Sequence, residues 1–252
     1  MDDKEKTGPE SRLPVQEAIR QYRENCEAPW GRLFYQIVWT QTGPVRNCSI
    51  LDYGSGFGIT ADHFAAENTV TAVEPNAEMR AMRCCEHNYT QLAGGLECLK
   101  CEPDEKYDYI FCHNVLEYVA DKGALLQELC RVLKVRGMLS VVKHNHLGKV
   151  MQKVVFEGKA EEALSLLESR AAQSVYFGKI DEYGDDALET LAQGQLRIAE
   201  VFGVRTFFAL QDNALKTKPR WAEAMLKLER AAEQIPEFRS IAFFHHVLLK
   251  KV

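Results

Sequence analysis

Between Cys48 and Val142 the apolar positions fall alternately into short continuous runs and into stretches with helical spacing. Cys48 to Tyr53 and Thr69 to Glu74 read as strands, with a helix from Gly58 to Glu67 between them. Asn76 is placed to cap a helix running to about Tyr89. A short strand near Leu96 to Leu99, a strand at Tyr107 to Cys112, a helix at Gly123 to Leu133 and a strand at Met138 to Val142 complete the series. Strands separated by helices of this length imply right-handed crossovers and a mostly parallel sheet.

The flanking segments follow other rhythms. Val15 to Trp39 reads as helix, interrupted near Ala28-Pro29-Trp30-Gly31, and Thr42-Gly43-Pro44 marks a turn. After the fifth strand, Leu147 to Ser174 has helical spacing, and Phe177 to Asp186 is a loop with glycine and acids. A strand-like run near Arg197 to Leu210, a helix at Arg220 to Gln234 and a final strand at Ile241 to Lys250 close the chain. The expected fold is α/β: a Rossmann-like, doubly wound, seven-stranded, mostly parallel sheet with an N-terminal helical segment and a helical insert after the fifth strand. Residues 1–12 form a polar tail. Residues 13–252 form one domain, with N-terminal helices at 13–44, the core at 48–143, a cap at 147–190 and the closing strands and helix at 196–252.

Composition narrows the class. The 252 residues are 46% hydrophobic and 27% charged, as in a globular protein, with no apolar run long enough to span a membrane. The polar N-terminus lacks the apolar stretch of a secretion signal, which points to the cytoplasm. The net charge of −5 does not advertise nucleic-acid binding, although Leu196 to Val252 carries ten basic residues against six acidic ones. Among eight cysteines, Cys98 and Cys101 form one CxxC pair. A structural zinc site wants two such pairs, and a redox pair usually opens a helix after a strand, whereas Glu97 to Cys101 reads as a strand entering a loop. Reduced thiols and no metal are expected.

The sharpest motif is Asp52-Tyr53-Gly54-Ser55-Gly56-Phe57-Gly58, directly after a strand. Glycines permit a tight turn and close approach of backbone to a ligand, and the helix behind them offers free N–H groups. The GxGxG spacing and the acid before the loop fit a nicotinamide dinucleotide poorly. Glu74 ends the second strand, 22 residues beyond Asp52, where a carboxylate can accept from both hydroxyls of a ribose.

This order of motifs, followed by Tyr107-Asp108-Tyr109-Ile110-Phe111, resembles the class I S-adenosylmethionine-dependent methyltransferases from Cys48 to about Lys143. The resemblance implies S-adenosylmethionine as cofactor, with Asp52, Gly54, Ser55, Gly56 and Gly58 along its methionine part and Glu74, followed by Pro75, at its ribose. It places the loop around Cys101 and Glu102 at the adenine and His113 beside the donor. A narrower similarity links His113-Asn114-Val115-Leu116-Glu117-Tyr118-Val119-Ala120-Asp121, Asn145 to Gly148 and Gly203 to Phe207 with the bacterial tRNA carboxymethoxyuridine carboxyl methyltransferase family. That family has a donor-binding arginine in its N-terminal helix. Phe34 aligns there, with Arg32 two residues earlier as a substitute.

Sulfonium methyl transfer is an in-line displacement, so the protein mainly aligns the acceptor and excludes water. A phenol or ammonium acceptor needs a base, whereas a carboxylate is already ionised and needs only positioning. His144, Asn145 and His146 follow the fifth strand, where acceptors bind, and Arg205 is the candidate carboxylate clamp. His245 and His246 alternate in the last strand, one expected buried and one solvated. The acceptor is therefore a carboxylate on a modified tRNA wobble uridine, or alternatively a small molecule enclosed by the helical cap, with Trp30, Phe34 and Tyr35 as its lid. A non-catalytic donor-binding module is the reading from another class. The sequence sets no oligomeric state.

Overall fold

A computed structural model describes residues 15–169, 172–174, 178–180 and 183–252. The tail at 1–12, and parts of the expected cap at 170–171, 175–177 and 181–182, lie outside the described residues. The chain opens with helices α1 (Val15–Glu27) and α2 (Pro29–Thr42). Pro29 has no amide hydrogen to donate, so it suits the first turn of α2 and separates the two helices. The series β1 (Ser49–Tyr53), α3 (Ile59–Ala65), β2 (Thr69–Glu74), α4 (Ala77–Ala81), β3 (Thr90–Ala93), α5 (Leu96–Lys100), β4 (Tyr107–His113), α6 (Lys122–Val132) and β5 (Leu133–His144) follows. The insert holds α7 (His146–Met151), a π-helical turn at Gln152–Phe156, α8 (Ala160–Ser169) and a small antiparallel pair, β6 (Ala172–Ser174) and β7 (Gly178–Ile180). The chain closes with α9 (Ala187–Leu191), β8 (Leu196–Val204), α10 (Asn213–Lys216), α11 (Trp221–Ala232), α12 (Pro236–Ile241) and β9 (Phe244–Lys251).

Seven strands form one sheet in the order β3-β2-β1-β4-β5-β9-β8. β1 to β5 are parallel, and β9 runs antiparallel between β5 and β8. One face packs Leu51, Ile110, Cys112 and Leu139 against Leu125 and Leu129 of α6 and Leu188 of α9. The other packs Ile50, Phe111 and Val142 against α2 and α3. With both faces covered, the parallel strands read as nearly unbroken apolar runs.

Two expectations about the third strand are corrected. The helix capped by Asn76, whose side chain accepts from the amides of Glu78 and Met79, ends at Ala81 rather than near Tyr89. The third strand is Thr90–Ala93, while Leu96–Leu99, expected as a strand, lies inside α5. Leu96 and Leu99 are three apart, so both turn toward the same core from a helix. An edge strand of four residues, none fully buried, offers too little alternation to announce itself.

The antiparallel return brings the sequence-distant end of the chain to the carboxyl-terminal edge of the parallel strands. In register, His144 of β5 faces Phe244 of β9, which faces Val204 of β8. Asn145 ties this edge together: its amide Nδ2 donates to the carbonyls of Ser240 and Ala242 at 2.8 Å each, and its N–H to Phe243 O at 3.0 Å. Beside it, Gly148 of α7 lies directly on the chain entering β9, where a Cβ would meet Ala242 O at 2.1 Å. Gly148→Ala must push α7 off that strand. It is expected to lower stability by about 1–3 kcal/mol, read as a lower urea midpoint with unchanged slope.

Candidate active site

The glycine loop leaves β1 in left-handed turns. Gly54, Gly56 and Gly58 have φ of 73°, 54° and 66°. Gly54 has a steric reason as well, since a Cβ there would lie 2.2 Å from Val115 Cγ2, on the chain leaving β4. The N–H groups of Gly54 and Ser55 both donate to Val73 O, at 2.8 and 3.0 Å, pinning the loop to β2. Glu74 at the end of β2 is buried and accepts from Gly56 N–H through Oε2 and from Asn76 N–H through Oε1, both at 2.8 Å. A carboxylate has about four lone-pair sites, so each oxygen keeps one for a further donor. Pro75 is exposed, and its carbonyl accepts from Arg80.

Asp52, 3% exposed, has one carboxylate oxygen with no hydrogen-bond partner, and Ser55 Oγ is likewise buried and unpartnered. Burial pushes the Asp52 carboxyl up to about 7, opposed by a hydrogen bond from the Ala61 amide and reinforced by Glu74. These orphaned polar atoms, with open space where a Gly56 side chain would stand, fit a polar ligand laid along the loop.

Three expected donor contacts are corrected. Cys101 caps the C-terminal end of α5, and Glu102 pairs with Lys106 while its carbonyl accepts from Arg131 near the end of α6. α5 carries both back toward the amino-terminal ends of the strands. The turn leaving β3 is Gly94-Gly95, closed by Glu97 accepting from Gly95 N–H. Arg32 stands on the exposed stripe of α2 with Gln36 and Thr40. The aromatic cover over the loop comes instead from α1, where Tyr22 packs on Phe57 at 5.5 Å and Arg23 lies 5.2 Å over the same ring. Neither residue was singled out in the sequence, because an amphipathic helix distant in sequence gives no signal of what it will cover.

His113 is a core histidine. Its Nε2 meets Ser140 Oγ at 2.7 Å, Ser140 Oγ meets His246 Nε2 at 2.8 Å, and His246 Nδ1 donates to Gln41 Oε1 at 2.8 Å. Burial lowers the His113 pKa to about 3, and burial beside His113 holds His246 well below the usual range, so both rings are neutral. With His246 donating from Nδ1, Ser140 must donate to its Nε2 and accept from His113. His246 is buried as expected. His245 is not solvated, because Asp185 and the Arg239 carbonyl engage its two ring nitrogens.

At the rim, His144 meets Glu117, a residue the sequence did not single out. The carboxylate, 3% exposed, accepts from His144 N–H at 2.6 Å and bonds Nδ1 at 2.7 Å. This orients the imidazole against Phe244, 4.7 Å away. Asn145 spends its amide on backbone, and His146 begins α7. Arg205 follows β8 with φ of 61°, and Glu229 holds the turn by accepting from the amides of Thr206, Phe207 and Phe208. The guanidinium lies over the rings of Phe208, Phe243 and Phe244 at 5.4, 4.9 and 5.6 Å. The basic C-terminal stretch does not converge as a unit. Lys250 and Lys251 end β9 at the opposite edge of the sheet, beside the start of β8 with Arg197.

Residues 51–141 match the family model described as a methyltransferase domain. The chain is 30% identical over 142 residues to the tRNA 5-carboxymethoxyuridine methyltransferase of Escherichia coli K12, an alignment covering 50% of this chain and 53% of that protein. The chain thus spans about half the length of the relative it matches. Among solved structures, a possible histamine N-methyltransferase from Thermotoga maritima superposes with a TM-score of 0.61 at 18% identity, over 94% of this chain and 98% of that one. A methyltransferase from a complex with the Haloferax volcanii Trm112 activator gives 0.61 at 13% identity, over 96% and 97%. These likenesses show a fold shared with those methyltransferases. Among the described residues, no group of His, Cys, Asp or Glu could hold a metal, no helix is long and apolar enough to cross a membrane, and all eight cysteines are free.

The raised Asp52 pKa has a consequence for stability. Between about pH 4 and pH 7 the folded chain binds more protons here than the unfolded chain, so this group makes stability fall as pH rises. Asp52→Asn is expected to flatten that slope and raise unfolding free energy at pH 8 by about 1–3 kcal/mol. Urea unfolding at pH 5 and pH 8 reads the difference.

Proposed function

We propose that this chain transfers a methyl group from S-adenosylmethionine to an acceptor carboxylate. In this reading the loop from Asp52 to Gly58 lies along the methionine part of the donor, and the free lone pairs of Glu74 accept from its ribose hydroxyls. The donor supplies an electrophilic methyl on a sulfonium. The protein aligns the carboxylate and excludes water, and no base is required because the carboxylate is already ionised. The observation that carries the reading is Arg205, which follows β8 at a turn held by Glu229 and lies over the rings of Phe208, Phe243 and Phe244, where a guanidinium can grip a carboxylate bidentately. The similarity to the Escherichia coli enzyme supports a modified wobble uridine of tRNA as the acceptor.

A second reading has its own support. Phe34 packs on Phe244, and Arg205 lies against three rings, so the surroundings of this guanidinium are aromatic. Such a lining suits a small carboxylate metabolite as well as a single extruded nucleoside. Transfer of labelled methyl to bulk tRNA, with a metabolite pool assayed in parallel, separates the two. Label in tRNA released by mild alkali is the expected result, since esters hydrolyse there. Label confined to metabolites leaves the donor site standing and removes tRNA.

Glu74→Ala is expected to weaken S-adenosylhomocysteine binding by about 1.5–3 kcal/mol for each hydrogen bond lost. Calorimetry that finds unchanged affinity removes Glu74 from the donor site. Arg205→Ala should lower kcat/KM by about 30-fold or more, roughly 2 kcal/mol, while sparing donor affinity. An equal loss of both would move Arg205 away from the acceptor.

A further inference from the structure

Lys216 ends α10, a residue type and position with no obvious reason to be buried, yet it is only 4% exposed. Its ammonium lies 5.5 Å over the Trp30 ring of α2 and 5.4 Å over Phe156 of the π-helical turn. Its hydrogen bond goes to an amide, Asn213 Oδ1, at 2.9 Å. Among the described residues no carboxylate lies within ion-pair distance of it. The nearest acid in its field, Asp212, spends a carboxylate oxygen capping its own helix through Ala214 N–H. Arg205 adds a second positive charge nearby.

A buried ammonium beside a guanidinium, with no acid of its own, is costly unless an anion joins it. The rings of Trp30 and Phe156 offset part of that cost through their electron-rich faces but cannot neutralise the charge. Burial, then the repulsion of Arg205, lowers the Lys216 pKa to about 8, which leaves most of it charged at pH 7. Four parts of the chain meet here: α2, the π-helical turn, the turn after β8, and α10. π-helical turns recur at functional sites because they re-aim side chains.

We propose that Lys216 and Arg205 form a two-cation subsite that holds an oxyanion of the acceptor, with Trp30 and Phe156 walling its Lys216 side. The proposal rests on Arg205 facing the acceptor, as in the function proposed above, and extends it to an acceptor bearing a carboxylate or phosphate that both cations reach. The subsite needs no acid, base or metal, because its role is charge neutralisation and alignment.

The test is calorimetric binding of malonate and, separately, inorganic phosphate to the full chain at pH 7, for the wild type, Lys216→Met and Lys216→Arg, with thermal unfolding of each. Loss of one charge-assisted contact is expected to weaken the anion about tenfold in Lys216→Met, with Lys216→Arg retaining it. Without anion, Lys216→Met should melt at or above the wild-type temperature, because it removes a buried charge and keeps the apolar stem. Preference for malonate identifies the oxyanion as a carboxylate, and preference for phosphate identifies it as a nucleotide phosphate. Equal anion affinity in wild type and Lys216→Met, no anion binding at all, or a lower melting temperature for Lys216→Met would each overturn the subsite. Anion binding lost with Lys216, in a protein that methylates neither tRNA nor a carboxylate metabolite, would keep the subsite and discard the carboxylate methyl transfer.

Discussion

One buried chain of hydrogen bonds holds the two halves of this molecule in register. It runs from His113 on β4 through Ser140 on β5 and His246 on β9 to Gln41 on α2, whose amide donates to Glu233 Oε2 at 2.9 Å and to the Gly203 carbonyl at 3.2 Å. Each member is deep enough that a missing partner would cost about 1–3 kcal/mol. A one-residue slip of β9 against β5 would turn His246 to the other face and orphan the whole series. The chain therefore fixes the antiparallel strand that the parallel core alone does not specify.

What depends on that register is the ligand-bearing edge. Phe244 lies two residues before His246 on the same face, so locking His246 also locks the ring between His144 and Val204. Asn145 then draws the entrance of β9 onto the exit of β5, and Glu229 bends the exit of β8 so that Arg205 lies over Phe243 and Phe244. The rings around Arg205 come from residues more than a hundred positions from the glycine loop. The loop and this wall share the sheet edge but have different supports: β1 and β2 hold one, β5, β9 and β8 the other. Substitutions in one can thus leave the other intact.

The geometry of the glycine loop and Glu74 was legible because it is local. A strand, a left-handed turn and a strand-end acid sit within one βαβ unit, and spacing alone brings them together. The mostly parallel seven-stranded sheet was legible for a similar reason, since alternating elements with short connections leave few topologies. The adenine side was not. α5 folds Cys101 and Glu102 away because Leu96 and Leu99 need one helical face, a preference that a five-residue run states weakly. Arg32 lies on the exposed side of α2, and Phe34, two residues on, points more than half a turn away from it. Glu117, Tyr22 and Lys216 left no mark, since each matters only through a partner distant in sequence: His144, Phe57 and Trp30.

The sequence by itself determined the class of fold, the glycine loop after β1 and the presence of cationic and histidine candidates near the strand ends, all of which follow from hydrophobic period and local backbone geometry. The tertiary structure decided which of those candidates meet. His113 became a core hydrogen-bond partner, His144 gained a carboxylate, Asn145 became a backbone staple, and a lysine without special context was enclosed beside Arg205. The physical reason is that burial and charge pairing are properties of neighbours in space. They are settled when the antiparallel return of β9 packs against β5 and α2, not by the order of residues along the chain.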